Sequence, residues 1–246
     1  MGIGRREFLA GAGAVIASSA MARPIRSSLG GRLEYEGGEV LPYDSEVAYL
    51  ENTGTQWIDT GDVFDSAYMY EFGVSFPIKV FGSIFGARSQ ATYYPDTSYL
   101  TDMTVGGVNR PVFYATHSRF FNPSGGNVDL STDTFHTFCI QVYPTGICTV
   151  DGVNFLHGYE NIHFRGKYSI LLFGLNNAGA VIHNRSGVRV NKYRVLDGNN
   201  SLVHNFVPVR FTNEQGVIEG AMYDRASGEL FRNQGTGSFI IGPDIS

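Results

Sequence analysis

The sequence has few lysines, no long apolar run, and no stretch with the rhythm of a helix, and each shortage excludes something. Its three lysines are Lys79, Lys167 and Lys192, and its arginines are scattered. No basic stripe follows a phosphate backbone, so nucleic acid is not an expected partner. The small and apolar run from Leu9 to Ala20 is shorter than the roughly 20 residues that a membrane helix needs, and nothing later is long and apolar enough, so no transmembrane span is expected in the mature chain. No segment beyond the N-terminus sustains apolar residues at i, i+3, i+4 and i+7 for three turns. Catalytic signatures are missing as well. There is no Gly-x-Ser-x-Gly elbow, no His-Glu-x-x-His pair and no Gly-rich loop opening a helix, so serine hydrolase, zinc hydrolase and nucleotide readings fail.

What is present begins with an export pattern. Arg5-Arg6-Glu7-Phe8-Leu9 sets a twin-arginine pair before the apolar run, and Ala20-Met21-Ala22 supplies a small-x-small exit. Charged start, short apolar run and small-residue exit predict a cleavable signal over residues 1–22, of the twin-arginine type. The expected location is therefore periplasmic, cell-surface or extracellular. Removing that segment takes away Arg5, Arg6 and Glu7 and moves the net charge from −5 to about −6, a value that favours solubility. Residues 23–43, with Gly30-Gly31 and Gly37-Gly38, read as a flexible leader. No linker interrupts residues 44–246, which read as one domain.

Short alternating runs between turn signals make that domain all-β. Tyr68 to Phe76, Val80 to Ala87, Tyr168 to Leu175, Val188 to Leu196, Ser201 to Phe211, Gly220 to Tyr223, Glu229 to Arg232 and Ser238 to Ile241 are the expected strands. Tyr168 to Leu175 is apolar on both faces, as a covered central strand would be. From Val188 to Leu196 the apolar phase slips, which predicts a β-bulge. Phe138 to Val153 predicts a hairpin with Pro144-Thr145-Gly146 as its loop. That loop sets Val142 against Cys148, Ile140 against Val150 and Cys139 against Asp151. The two cysteines then lie on opposite faces and stay free thiols, although an exported protein could form a disulfide.

Several longer motifs then combine. Tyr49-Leu50-Glu51-Asn52-Thr53-Gly54-Thr55-Gln56-Trp57-Ile58-Asp59-Thr60-Gly61 opens the domain, and Gly86-Ala87-Arg88-Ser89 follows. Leu202-Val203-His204-Asn205-Phe206-Val207-Pro208-Val209-Arg210 precedes Met222-Tyr223-Asp224-Arg225-Ala226-Ser227-Gly228-Glu229-Leu230-Phe231, and Gly235-Thr236-Gly237-Ser238-Phe239 closes. In this order, over about residues 47 to 244, they resemble the concanavalin A-like (laminin G-like) domains of bacteria and phages. The resemblance implies an antiparallel two-sheet jelly-roll sandwich of the lectin and glucanase type. Such domains often sit on surface or glycan-handling proteins, and these motifs read as fold markers rather than site markers. Tyr223-Asp224-x-x-Ser227-Gly228 suits a tight turn, and Gly235-x-Gly237 suits close backbone packing.

Candidate chemistry is sparse. Glucanases on this fold carry a Glu-x-Asp-x-x-Glu strand, with its carboxylates on one face. The spacing is absent here: Glu34, Glu36 and Glu39 fall in the leader, and Asp224 and Glu229 flank a turn. No catalytic residue is assigned, and the six histidines read as surface or turn residues without metal-ligand spacing. No cofactor is implied. A structural calcium would have Asp59, Asp62 and Asp65, or Asp129 and Asp133, to draw on, but turn formation explains those residues. The candidate ligand-binding residues are Arg88, Tyr93, Tyr94 and Tyr99, because tyrosine offers a flat apolar face with a polar tip. Trp57 reads as core. The expected function is an exported, non-catalytic recognition module for carbohydrate or another cell-surface component. Its rivals are a glycan hydrolase or lyase on the same fold, and a structural envelope or assembly protein.

Overall fold

The structure is a computed structural model that describes residues 24–26, 33–35, 41–76, 82–89, 98–105, 108–115, 118–121, 130–155, 163–183 and 186–245. Every regular element among them is a strand. Two short strands, β1 (Pro24–Arg26) and β2 (Leu33–Tyr35), pair with each other. There follow β3 (Ser45–Glu46), β4 (Leu50–Glu51), β5 (Ile58–Asp65), β6 (Met69–Ser75), β7 (Gly82–Arg88) and β8 (Ser98–Val105). The middle of the chain supplies β9 (Val108–Ala115), β10 (Ser118–Phe121), β11 (His136–Gln141), β12 (Ile147–Val150) and β13 (Val153–Asn154). Next come β14 (Arg165–Leu172), β15 (Gly174–Asn177), β16 (Ala180–His183) and β17 (Arg189–Leu196). The chain ends in β18 (Leu202–Thr212), β19 (Ile218–Asp224), β20 (Glu229–Arg232) and β21 (Ile240–Ile241).

Two sheets form the sandwich. The smaller has eight strands along the path β10-β9-β8-β7-β14-β5, with β15 and β16 beside it. The larger has eleven, along β13-β12-β11-β6-β17-β18-β19-β20, with β3, β4 and β21 wedged at one end. Period-two alternation decides which residues meet between the sheets. Tyr70, Phe72 and Val74 of β6 face inward, as do Phe138 and Ile140 of β11. From the other sheet come Ile58 and Phe64 of β5, Phe85 of β7, Phe113 of β9 and Leu172 of β14. Rings bridge the layers, with Phe72 and Phe85 4.3 Å apart and Phe64 and Tyr70 4.8 Å apart. Each fully buried ring of this kind contributes about 2–3 kcal/mol, and it is these contacts rather than a covalent link that hold the sheets together. A second cluster lies on the opposite face of β18 and β19, where Leu41 and Tyr43 cover Val209, Phe211, Ala221 and Tyr223.

The hairpin of β11 and β12 differs from its expected register by two residues. Ile140 pairs with Cys148, Phe138 with Val150 and Cys139 with Thr149. The connection runs from Val142 to Gly146, is closed by the Gly146 amide on the Val142 carbonyl at 3.0 Å, and includes a cis Tyr143–Pro144 peptide. An even shift keeps every side chain on its face, so both thiols remain free, with Cys148 buried and Cys139 half-buried on the other side. The bulge expected in β17 is present. Val190 pairs with Val74 but Lys192 with Gly73, which leaves Asn191 as the extra residue. Its side chain lies over Gly73, where any Cβ would collide with the Asn191 amide oxygen.

Tyr168 to Leu175 is not one strand. Phe173, at φ 62°, breaks it into β14 and β15, and β15 turns back along β7. The Asp59-Thr60-Gly61-Asp62 motif is likewise no turn. It is a bulge within β5, with Gly61 at φ 73° and a register shift against β14.

Candidate binding site at the split end of the smaller sheet

The smaller sheet divides where β7 ends. Gly86 and Phe85 pair with Leu171 and Leu172 of β14, but Ala87 and Arg88 pair in parallel with Asn176 and Asn177 of β15. β14 bends toward β5 through two register shifts, and β15 enters the opening. A sheet that splits leaves backbone groups without ladder partners, and here polar side chains supply them. The Asn176 Nδ2 donates to the Ser169 carbonyl at 3.1 Å, and its Oδ1 accepts from the Gly179 amide at 2.9 Å. The Ser169 hydroxyl donates to Asp59 Oδ2 at 2.9 Å, while Asp59 Oδ1 accepts from the Gly61 amide at 2.9 Å. On the other side of β15, the Arg88 Nε donates to Asn177 Oδ1 at 2.8 Å. The turn after Asn177 uses Ala178 at φ 55° and Gly179 at φ 91°, the positive pair that a two-residue hairpin favours.

The outcome is two polar groups that flank β15, Asp59 with Ser169 and Asn176 on one side and Arg88 with Asn177 on the other. Arg88 and Asn177 are half-buried, and the Asn177 Nδ2 has no hydrogen-bond partner among the described residues. Asp59, Ser169 and Asn176 spend their polar atoms on one another and on the backbone, and the Arg88–Asn177 pair offers an amide and a guanidinium in one rigid frame. That is the donor and acceptor set that orients a polar ligand.

Of the residues singled out in the sequence, Arg88 belongs to this site. Tyr99 lies in β8, pairing with Gly86 on one side and Tyr114 on the other. Tyr93 and Tyr94 lie outside the described residues, in the connection that leaves after Ser89 and returns at Ser98, the partner of Ala87. Asp59 was singled out only as a calcium candidate, and Ser169, Asn176 and Asn177 not at all. The Asn-Asn-Ala-Gly run is a turn signal that could have marked the last two.

Two histidines depart from expectation, while His163 is exposed as expected. His136 is buried, with Nδ1 2.6 Å from Asp151 Oδ2 and Nε2 3.0 Å from the Ser131 carbonyl. His204 sits between the sheets, with Nδ1 2.7 Å from Asp224 Oδ2 and Nε2 3.3 Å from Asp62 Oδ1. Tyr193 donates to the other Asp62 oxygen at 3.1 Å. The hydrogen bond to Asp62, joined by that to Asp224, outweighs burial and pushes His204 up to about 9. Burial alone would raise Asp224, yet the Asn205 amide, His204 and the Ala226 amide together hold its carboxyl below its ordinary value. An imidazolium held at both nitrogens has no lone pair at neutral pH, so His204 is a clasp between sheets rather than a general base.

Asp59, Asp62 and Asp65 do not converge. Asp59 holds Ser169, Asp62 holds Tyr193 and His204, and Asp65 meets the Ala67 amide at 3.0 Å and His163 at 2.9 Å. Asp133 pairs with Arg189 at 3.4 Å, and Asp129 lies outside the described residues. Among the described residues no three His, Cys, Asp or Glu side chains gather as a metal site.

Known proteins bear on the architecture. No family model matches the chain. No curated protein matches it. Among solved structures, it is similar to a "putative carbohydrate binding protein" from Bacteroides ovatus, with a TM-score of 0.52 and 13% identity over 87% of this chain and 68% of that one. The likeness is one of fold. The chain is an all-β sandwich of two sheets, and its opening and closing motifs act in that fold as joints. Gln234 donates its amide to the Trp57 carbonyl at 2.9 Å, and the Gln56 side-chain amide donates to the Thr236 carbonyl at 2.9 Å. A Cβ at Gly235 would collide with the Thr55 carbonyl oxygen.

Proposed function

We propose that the chain is an exported, non-catalytic carbohydrate-recognition module on a concanavalin A-like jelly roll. The observation that carries the reading is the Arg88–Asn177 pair at the split end of the smaller sheet, where Gly86, two residues before Arg88, pairs with Tyr99. Amides and a guanidinium satisfy sugar hydroxyls in fixed directions, and tyrosine rings cover the apolar faces of the sugar. The fold likeness to a protein described as binding carbohydrate supports the same ligand class. His204, held charged between two carboxylates, offers no base for bond cleavage.

A glycan array identifies the ligand, and variants then test the site. Arg88→Ala and Asn177→Ala are each expected to weaken binding at least about tenfold, close to 1.4 kcal/mol. Alanine at Tyr93, Tyr94 or Tyr99 is expected to weaken binding while leaving melting nearly unchanged. Unchanged binding in all five variants would remove this surface from consideration. Release of reducing ends from a polysaccharide panel would replace recognition by hydrolysis or cleavage.

A further inference from the structure

The outward face of the larger sheet carries a polar and aromatic patch that core packing does not explain. Leu50, Val74 and Val190 are buried between the sheets, so alternation turns their neighbours Glu51, Ser75 and Arg189 outward. Register sets these three side by side, with Arg189 opposite Ser75 on one flank and Glu51 on the other. Tyr49, two residues before Glu51, lies against the Arg189 guanidinium, 5.1 Å from its ring centre. Phe135 stands next to Tyr49, 6.0 Å between ring centres, and is 37% exposed although the adjacent His136 is buried.

The polar groups of this patch are held in fixed directions. The Arg189 Nε donates to Glu51 Oε2 at 2.6 Å, and its Nη1 donates to Asp133 Oδ1 at 3.4 Å. Asp133 sits at φ 56°, in the left-handed region, and its amide donates to the Phe76 carbonyl at 2.8 Å. That backbone carries an exposed carboxylate onto the guanidinium, and positions of this kind concentrate at ligand sites. After these bonds Arg189 Nη2, Asp133 Oδ2 and the Tyr49 hydroxyl have no hydrogen-bond partner among the described residues. Neither has the buried Ser75 hydroxyl across from Arg189. An exposed phenyl ring thus stands beside a phenol, a guanidinium edge and a carboxylate oxygen that all have bonding capacity to spare.

We infer that the patch of Tyr49, Phe135, Arg189 and Asp133 is a second binding site, for a pyranose ring that presents neighbouring hydroxyls. The inference takes its ligand class from the carbohydrate reading but stands on the other sheet from the Arg88–Asn177 pair. A flat aromatic ring covers the C–H face of a sugar. Each hydroxyl of a neighbouring pair can both donate and accept, so one donates to Asp133 Oδ2 while the next accepts from Arg189 Nη2. The salt bridge between those two side chains sets the direction of both bonds before the sugar arrives.

The test is an amide-resolved titration of the full chain by nuclear magnetic resonance. The probes are methyl glucoside, methyl galactoside and methyl mannoside, with cyclohexanol as a ring of the same size that lacks neighbouring hydroxyls. At least one glycoside is expected to shift the amides of Asp133, Phe135 and Arg189 with about millimolar affinity. Phe135→Ala, Tyr49→Phe and Asp133→Asn should each weaken that response several-fold, with melting nearly unchanged and any shifts at Asn177 and Gly179 intact. Asparagine tolerates the left-handed backbone at position 133, so that variant removes the carboxylate alone. A response that survives all three substitutions, or that cyclohexanol matches, overturns the site, as does a large loss of melting in all three. Shifts at Asn177 and Gly179 with none here overturn this site and leave the carbohydrate reading standing. A response here alone supports this site and overturns the Arg88–Asn177 pair, and silence at both places overturns both.

Discussion

His204 shows how much one side chain can carry between two sheets. Asp62 comes from β5 of the smaller sheet and Asp224 from β19 of the larger, and the imidazolium spans them. His204 is half-buried, so solvent screening leaves on the order of 1–2 kcal/mol of preference for the charged form from a shift of 6.5 to about 9. Because the folded value is raised, that stability is fully present below 6.5 and is lost as pH rises through about 9. Tyr70 and Tyr193, both buried, are pushed well above 10 and titrate beyond this window. Asp224 works in the other direction, because its lowered carboxyl contributes stability that is lost as pH falls through its folded value. Denaturant midpoints measured between about pH 6 and pH 10 should therefore fall for the native chain. His204→Gln should be destabilised by about 1–2 kcal/mol at the low end of that range and lose most of this slope, since two carboxylates then lie near each other without a cation. Parallel slopes for the two proteins would show that His204 does not stay charged.

At the scale of elements, the decisive contacts join segments far apart in sequence. The closing loop docks on the opening motif through Gly235, whose α-carbon sits where no side chain fits beside the Thr55 carbonyl. Gly235→Ala is expected to destabilise the fold by about 2 kcal/mol or more, because backbone rather than a flexible side chain must give way. Equilibrium denaturation measures it, and a loss under about 0.5 kcal/mol would mean that the joint is soft. The same docking explains why Trp57 is only half-buried, with its backbone tied to Asn233 and Gln234. The β11–β12 hairpin teaches a related lesson. Its loop was expected from Pro144 and Gly146, but the chain turns over Val142 to Gly146, and Ile140 pairs with Cys148.

At the scale of the whole molecule, export remains the proposal that the first 22 residues support. Cells are expected to accumulate a product that begins at Arg23, and replacing both Arg5 and Arg6 by Lys should block its appearance outside the cytoplasm. Mass spectrometry of the exported protein checks both points, and an intact Met1 outside the cytoplasm would refute cleavage. Among the described residues no helix is long and apolar enough to cross a membrane.

The break at Phe173 and the strand through Asp59 and Asp62 were not legible in the sequence. The all-β class, the bulge in β17, the tight turn at Asp224 and the separation of the two thiols were. Each depends on local alternation or on turn chemistry within a few residues, and a two-residue slip in pairing leaves the faces unchanged. The candidate site was legible only at Arg88, and the clasp at His204 not at all. Asp59, Ser169 and Asn176 meet, and Arg88 meets Asn177, because β14 breaks at Phe173 and β15 turns back beside β7. Asp62, His204 and Asp224 meet because two sheets close on one another. No spacing along the chain encodes such meetings. Composition and periodicity determined that this chain builds β-sheets with a buried aromatic layer, and only the tertiary packing decided which polar groups those sheets bring within hydrogen-bonding reach.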